Sequence, residues 1–217
     1  MSWLTKIEID ASLAYKNKFI DSYTWHQALW QCFPGRSSQK RSFLTRVDET
    51  SHGFIAWILS LDKPIRPFWC PEEGWAIKEI SPGFLNHRWY AFNLKANPTK
   101  AIMQKPAVVA PAIDGQIRLT RGKRVPLTKR EDLKAWLERK AAQGGFKIVE
   151  TIPLDIGPMA ESYFSRGEQK AYHGSIQFRG VLEVTNKEVF EKTYYSGIGS
   201  AKAFGYGLLL LAPVSLN

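Results

Sequence analysis

The pattern of apolar residues repeats once along the chain, and this repeat limits the possible folds more than any other feature. In the first half, alternating or strand-like segments lie at 4–10, 42–48, 54–60 and 76–80, and a helical pattern lies at 22–33. A period of two is typical of strands and a period near 3.6 of helices. The order predicts a β-α-β-β unit, a polar loop before the helix, and then either a short helix or an irregular crossing before the last strand.

The second half predicts the same order of elements. They are a strand at 88–98, a helix that begins with a capping box of Thr128 and Glu131 and ends at Gly144-Gly145, strands at 146–152, 174–184 and 204–212, and a short helix at 187–195. A long connection at 99–116 is expected between the first strand and the helix. We therefore expect an α+β protein of two tandem ferredoxin-like (βαββαβ) domains, at 1–85 and 86–217, with a C-terminal glycine-rich loop.

The charge of the chain indicates what kind of partner it has. Its 217 residues include 30 Lys and Arg against 20 Asp and Glu, so the formal net charge is +10, and 44% of the residues are hydrophobic. A folded basic chain is typical of proteins that bind a polyanion such as nucleic acid. A basic protein without such a partner is the alternative.

The same composition indicates the compartment. Cys32 and Cys70 occur without a CxxC motif. They allow one disulfide, but isolated cysteines are more typical of a reducing cytosol. The first residues show no secretory pattern, and no apolar run approaches the ~20 residues of a membrane span. We expect a cytoplasmic protein without a membrane partner.

The predicted helix at 22–33 carries aromatic residues on two opposite sides. One side is formed by Trp25, Ala28, Leu29 and Cys32, and the other by Tyr23, His26, Gln27 and Trp30. The first side is expected to face the core, so something else should lie against the second. Histidine titrates near neutral pH and can take up or deliver a proton, although a lone histidine is more often structural.

Two loops have the composition of phosphate contacts. The glycine-rich loop, residues 197–207, contains Gly197, Gly199, Gly205 and Gly207 in two Gly-hydrophobic-Gly pairs, with Lys202 between them. Glycines permit positive φ and a close approach of the backbone to a ligand, whereas the alternative is a helix end followed by bulges. The cationic segment 35–41 is interpreted either as an exposed turn or as a phosphate contact.

Four segments together resemble a known family over nearly the whole chain. They are Tyr23-Thr24-Trp25-His26-Gln27-Ala28-Leu29-Trp30, residues 94–100, residues 122–127 with 135–140, and the glycine-rich loop followed by residues 208–213. They are similar to the repeat-associated CRISPR proteins, and among them to the CasE family, the CRISPR RNA-processing endoribonucleases of the type I-E Cascade complex.

The resemblance implies metal-independent cleavage of a CRISPR repeat RNA hairpin at its base, with no cofactor. In the family the 2′-hydroxyl attacks the adjacent phosphorus and leaves a 2′,3′-cyclic phosphate. The catalytic histidine of the family corresponds to His26, and a supporting tyrosine to Tyr23. The family also implies that the protein stays bound to the mature crRNA with the other Cascade subunits, and we expect a monomer when it is isolated.

Basic residues are expected to hold the RNA through its phosphates, because the major groove of A-form RNA is too narrow for direct reading. The predicted contacts are Arg121, Lys123, Arg124, Arg166, Lys170, Gly197, Gly199, Lys202, Gly205 and Gly207. His52, His87 and His173 have no cysteine or carboxylate at ligand spacing, so no metal site is predicted. A non-catalytic RNA-binding subunit and a basic adaptor without an RNA role are the alternatives.

Overall fold

The computed structural model describes residues 1–35, 41–102, 123–166 and 169–216; of residues 123, 162–166 and 169–173 it describes the backbone alone. The first half contains one sheet and the helices that cover it. Its elements are β1 (Trp3–Asp10), α1 (Ala11–Lys16), α2 (Ser22–Trp30), β2 (Phe43–Glu49), β3 (Gly53–Ser60) and β4 (Trp75–Glu79).

The strands of this sheet are antiparallel and lie in the order β2-β3-β1-β4. This is the order of a ferredoxin-like unit, in which the first strand lies between the third and the fourth. Residues 61–74 are all described and form no helix. Of the two predicted alternatives for this connection, the irregular crossing is therefore the one observed.

The segment between β1 and α2 differs from the predicted polar loop. It begins with α1, because the side chain of Asp10 accepts the backbone N–H of Leu13 at 2.7 Å and caps the helix. Ala14 is buried against the sheet. A helix of six residues is too short to show an apolar periodicity, so it could not be predicted from the sequence pattern.

The second half repeats the arrangement and adds short strands to it. Its elements are β5 (Trp89–Ala96), β6 (Thr99–Ile102), β7 (Lys123–Pro126), α3 (Arg130–Gln143), β8 (Phe146–Ile148), β9 (Asp155–Ile156), β10 (Ala160–Arg166), β11 (Gln169–Val184), α4 (Lys187–Ser196) and β12 (Leu209–Val214). Strands β8, β11, β5 and β12 are adjacent in that order, as in the first sheet, and β9 and β10 also pair with β11. The predicted pair of ferredoxin-like units is confirmed.

Three local predictions in this half are wrong. Helix α3 begins after Lys129, and no side chain caps it, so the capping box of Thr128 and Glu131 is absent. Strand β8 ends at Ile148, whereas a strand to 152 was expected. The last strand starts at Leu209 and not at 204, because residues 202–204 form a 3-10 turn.

The predicted connection at 99–116 is in part a two-stranded sheet. Strands β6 and β7 pair with each other, with Thr99 opposite Pro126. Residues 103–122 between them lie outside the described residues, and the predicted contact Arg121 is one of these.

The two halves of the chain pack against each other. One apolar cluster lies between the first sheet and α2, and the other lies between the second sheet, α3 and α4. The second cluster also includes Leu44 of β2 and Leu59 of β3, so the two sheets meet along this edge. All strands of the first sheet precede residue 80 and those of the second follow residue 88. A division at residue 85 stays a prediction.

Both cysteines are buried and unpaired. Among the helices of the described ranges, none has the length and hydropathy needed to cross a membrane.

Candidate active site at helix α2 and the glycine-rich loop

Helix α2 is fixed in rotation by its cap and its apolar side. Asp21 accepts the backbone N–H of Thr24 at 2.8 Å, and the Thr24 hydroxyl accepts the backbone N–H of Asp21 at 3.1 Å. Trp25 is buried against Phe54 and Trp69, with ring centroids 5.4 and 6.3 Å away. The predicted apolar side is confirmed. On the opposite side His26 is half-buried and Gln27 is exposed, whereas Trp30 packs against the same apolar cluster as Trp25.

The imidazole of His26 is held by its neighbour one turn later on the same helix. The indole N–H of Trp30 donates to Nε2 of His26 at 3.0 Å. Nδ1 is buried and has no hydrogen-bond partner among the described residues. Burial, and then the positive charge of Arg41, lower the pKa of His26 below its ordinary value. The neutral ring is therefore favoured, with its proton on Nδ1.

Tyr23 lies on the same side of α2 as His26, as predicted. Its hydroxyl accepts a hydrogen bond from Nε2 of Gln27 at 3.1 Å. Tyr23 is not among the described residues that line the cavity beside His26.

That cavity has a volume of about 500 Å³ and lies where the two halves meet. Its wall includes α2, β2, the roots of β10 and β11, and the glycine-rich loop; the residues are Phe19, Ile20, Asp21, Ser22, Trp25, His26, Leu29, Thr45, Val47, Glu49, Phe54, Lys95, Ala160, Glu161, Ser175, Ala203, Phe204, Gly205 and Tyr206. Asp21, Glu49 and Glu161 bring carboxylates to this wall, and Lys95 is its one described lysine. A wall of this charge does not favour a phosphate group.

The ammonium group of Lys95 is bound by neighbouring groups of the protein. Its Nζ donates to the carbonyl oxygen of Val47 at 2.7 Å and lies 3.5 Å from Asp48 Oδ1. Burial lowers the pKa of Lys95, while Asp48 acts in the opposite direction. Lys95 therefore ties β5 to β2 beside the cavity.

The glycine-rich loop packs tightly against both halves. Gly197, Gly199, Gly205 and Gly207 all have positive φ. The N–H of Gly197 donates to the carbonyl oxygen of Thr193 at 2.8 Å and that of Gly207 to the carbonyl oxygen of Lys95 at 2.8 Å. These amides are thus occupied within the protein. Phosphate binding by the four glycines stays a prediction, and their visible use is close packing.

The loop presents its lysine next to an arginine of the first half. Nζ of Lys202 donates to the carbonyl oxygen of Ser196 at 2.8 Å, and the carbonyl oxygen of Lys202 accepts from Nη1 of Arg41 at 2.7 Å. Burial lowers the pKa of Lys202, and the charges of Arg41 and Lys140 lower it further. Lys202 and His26 are therefore both neighbours of Arg41.

The other predicted RNA contacts lie apart from this site. Arg124 is exposed on β7, and the backbone of Lys123 lies in the same strand. Arg166 and Lys170 lie near the end of the β10–β11 hairpin, where Arg166 pairs with Gln169. Strand β10 contacts α2, so this hairpin has its root beside His26.

Sequence reasoning named neither Lys95 nor Arg41 as a site residue. Lys95 belongs to the half-buried side of β5, whose other side is formed by fully buried residues. A lysine on a half-buried side of a strand indicates that another part of the protein packs against that side. Arg41 lay within the cationic segment 35–41, and its composition could not separate it from its neighbours. The described residues contain no group of three or more His, Cys, Asp or Glu placed to hold a metal ion.

Comparisons with known proteins agree over nearly the full length. The family model for CRISPR associated proteins matches residues 2–213. The chain is 32% identical to the CRISPR system Cascade subunit CasE of Escherichia coli over 199 residues, which cover 89% of this chain and 93% of that protein. It is 28% identical to the CRISPR-associated endoribonuclease Cse3 of Thermus thermophilus, with 97% and 100% of the two chains covered. A solved structure of the CRISPR endoribonuclease Cse3 bound to a 19-nucleotide RNA is similar with a TM-score of 0.76 at 25% identity, covering 97% of this chain and all of that one.

Proposed function

The chain belongs to the family of CRISPR-associated proteins, and we propose that it is the endoribonuclease that cuts CRISPR precursor RNA at the base of each repeat hairpin. The observation that carries the proposal is the position of His26. This half-buried histidine projects from α2 where the two halves meet, beside Arg41 and the glycine-rich loop. The relatives named CasE and Cse3 are a Cascade subunit and an endoribonuclease, which fits the same activity.

The reaction needs two proton transfers and no redox change. The 2′-hydroxyl loses its proton as its oxygen forms a bond to the adjacent phosphorus. The bond from phosphorus to the 5′-oxygen breaks, and that oxygen gains a proton. The products are a 2′,3′-cyclic phosphate and a 5′-hydroxyl. His26 serves as general acid or general base, and Tyr23 supports the phosphate. No step requires a metal ion.

The basic residues that lie apart from His26 suit the binding of a duplex beyond the cut. From Ala160 at the cavity to Arg166 the extended strand covers about 20 Å at a rise of ~3.3 Å per residue. Arg166 and Lys170 are therefore assigned to the RNA hairpin and not to the scissile phosphate. Arg121, Lys123 and Arg124 are assigned to backbone phosphates, and the four glycines with Lys202 to the RNA near the cut.

The proposal includes the assembly of the protein. It acts in the cytoplasm, is a monomer when isolated, retains the cleaved hairpin and joins the other Cascade subunits. The catalytic helix belongs to the domain at 1–85, and the basic segments belong to the domain at 86–217.

A second candidate function is that of a non-catalytic hairpin-binding subunit. One observation favours it: Nε2 of His26 already accepts the Trp30 N–H, and Nδ1 is buried. In this arrangement neither nitrogen is available for proton transfer.

Single-turnover cleavage of the repeat hairpin from the same genome separates the two candidates. With the protein in excess and a chelator present, we expect the intact protein to cut the RNA. His26→Ala should abolish cleavage while binding of the hairpin survives. His52→Ala, at an exposed turn, is the control and should cut normally. A hairpin that is bound but left intact by the natural protein supports the second candidate, and loss of cleavage in the chelator overturns the metal-free reaction.

A further inference from the structure

Arg41 lies at the meeting point of the first half and the glycine-rich loop, two residues before the start of β2. Its guanidinium donates to the carbonyl oxygen of Lys202 at 2.7 Å and lies 6.0 Å from the centre of the Phe43 ring. Phe43 in turn contacts Trp30 edge to face, with ring centroids 4.8 Å apart. Trp30 is the residue that donates to His26. His26 and Arg41 therefore flank the same aromatic pair.

The cations near His26, Arg41 and Lys202, are not paired with any carboxylate that the structure describes. Arg41 and Lys202 form ion pairs with none of the described acidic residues, whereas the buried Arg46 pairs with Asp48 at 2.7 Å. Arg41 is half-buried, and burial lowers its pKa. Partly desolvated cations without a counter-charge form a favourable position for an anion.

The cavity beside His26 has a different character. Asp21 and Glu49 bring carboxylates to its wall, and neither Arg41 nor Lys202 is among its described lining residues. Lys95, the lysine of this wall, is bonded to the Val47 carbonyl and lies beside Asp48. A phosphate diester at His26 is therefore attracted towards Arg41 more than into the cavity.

We propose that Arg41 is a further catalytic residue, which holds the non-bridging oxygens of the scissile phosphate beside His26. The proposal rests on the endoribonuclease function given above. As the 2′-oxygen bonds to phosphorus and the 5′-oxygen leaves, the negative charge on the phosphate oxygens increases and Arg41 stabilises it. Arg41 transfers no proton, because a guanidinium stays charged throughout. Its five N–H donors allow it to bind the phosphate and the Lys202 carbonyl at the same time.

The test uses Arg41→Gln, with Arg66→Gln as the matched control. Arg66 also donates to a backbone carbonyl, that of Cys70 at 2.6 Å, but lies in the connection between β3 and β4. The cleavage rate is measured in single turnover at saturating protein. Binding is measured separately with a hairpin that carries a 2′-deoxy sugar at the attacking nucleotide and so is not cut.

For Arg41→Gln we expect a fall of about 100-fold or more in the saturated rate, as for the loss of one donor to a developing oxyanion. Binding of the uncut hairpin should weaken less than about tenfold, since one phosphate contact among several is lost. Arg66→Gln should leave both values within about twofold. Arg41→Lys should recover part of the rate, because it restores the charge without the planar pair of donors.

A phosphorothioate at the scissile phosphate provides a further measurement, whose result should not change if Arg41 has a purely structural role. In the intact protein the two diastereomers should differ in cleavage rate, and in Arg41→Gln this difference should shrink. A saturated rate within threefold of the intact protein would refute the role of Arg41, and so would an unchanged difference between diastereomers. If the intact protein leaves the bound hairpin uncut in the same assay, the proposed function itself fails, so the two failures are distinguishable. Should Arg41→Gln not fold, the diastereomer comparison on Arg41→Lys decides the question.

Discussion

Trp30 and His26, one helical turn apart on α2, are joined by a hydrogen bond from the indole N–H to Nε2 at 3.0 Å. A proton added at Nε2 would meet the N–H of Trp30 directly, so this contact exists only with the neutral ring. The sequence predicts both residues on one side of the helix, and the structure shows that Trp30 contacts His26 and Phe43 there. Trp30 thereby controls which nitrogen of His26 carries the proton.

Replacing Trp30 by Phe should raise the pKa of His26. The ring that contacts Phe43 is retained in part, but the donor that stabilises the neutral imidazole is lost. An NMR titration of the His26 ring protons in the RNA-free protein measures this directly. Trp75→Phe is the control, because Trp75 is also half-buried at the edge of the same apolar cluster. An unchanged midpoint in Trp30→Phe would show that the hydrogen bond has no influence on the neutral ring.

The lowered pKa of His26 should also make the free energy of unfolding depend on pH. Below the ordinary pKa of about 6.5 the unfolded chain binds a proton on this histidine that the folded chain does not. The free energy of unfolding therefore decreases as the pH falls from 6.5 through the folded-state pKa. His26→Gln lacks this proton, so its stability should fall less over that window. Urea unfolding at a series of pH values checks the prediction, and parallel curves for both proteins would contradict it.

Much of the fold followed from the sequence, because the apolar periods of long elements are set by burial on one side. Strand β5 alternates buried and half-buried residues over its eight positions, and it was predicted within two residues at either end. The short elements were not predictable in this way. Helix α1 depends on the cap at Asp10, and the early end of β8 depends on pairing with β11.

The candidate site was predictable where residue type alone carries the chemistry. His26 was identified by its type and its side of the helix, together with the family resemblance. Arg41 was not, because its role depends on contacts with Phe43 and Lys202, which lie 2 and 161 positions away. Contacts between distant segments leave no periodic trace in the sequence.

The buried Arg46 should be essential for the junction of the two sheets. It is 1% exposed, pairs with Asp48 and donates from Nη1 to Oδ1 of Asn93 on β5 at 3.0 Å. Arg46→Met should lower the free energy of unfolding by about 2–4 kcal/mol, since the partners of a buried cation are left unsatisfied. Arg179→Met, which removes an exposed pair with Asp155, should cost at most about 0.5 kcal/mol. Denaturant unfolding of both variants gives the comparison, and equal losses would refute a special role for Arg46.

Gly207 should tolerate no side chain, because two constraints coincide there. Its φ is +90°, and a Cβ would lie 2.4 Å from the carbonyl oxygen of Ile198. Both the left-handed backbone and the contact disfavour alanine, so Gly207→Ala should lower the free energy of unfolding by about 2–4 kcal/mol. Gly83→Ala is the control: its φ is −82° and the nearest atoms to a Cβ are 3.8 Å away, so its stability should change by less than about 0.5 kcal/mol. Thermal and denaturant unfolding of the two variants measure the difference. If Gly207→Ala is as stable as Gly83→Ala, the loop is free to move there, and its glycines are then better explained by contact with a ligand than by packing.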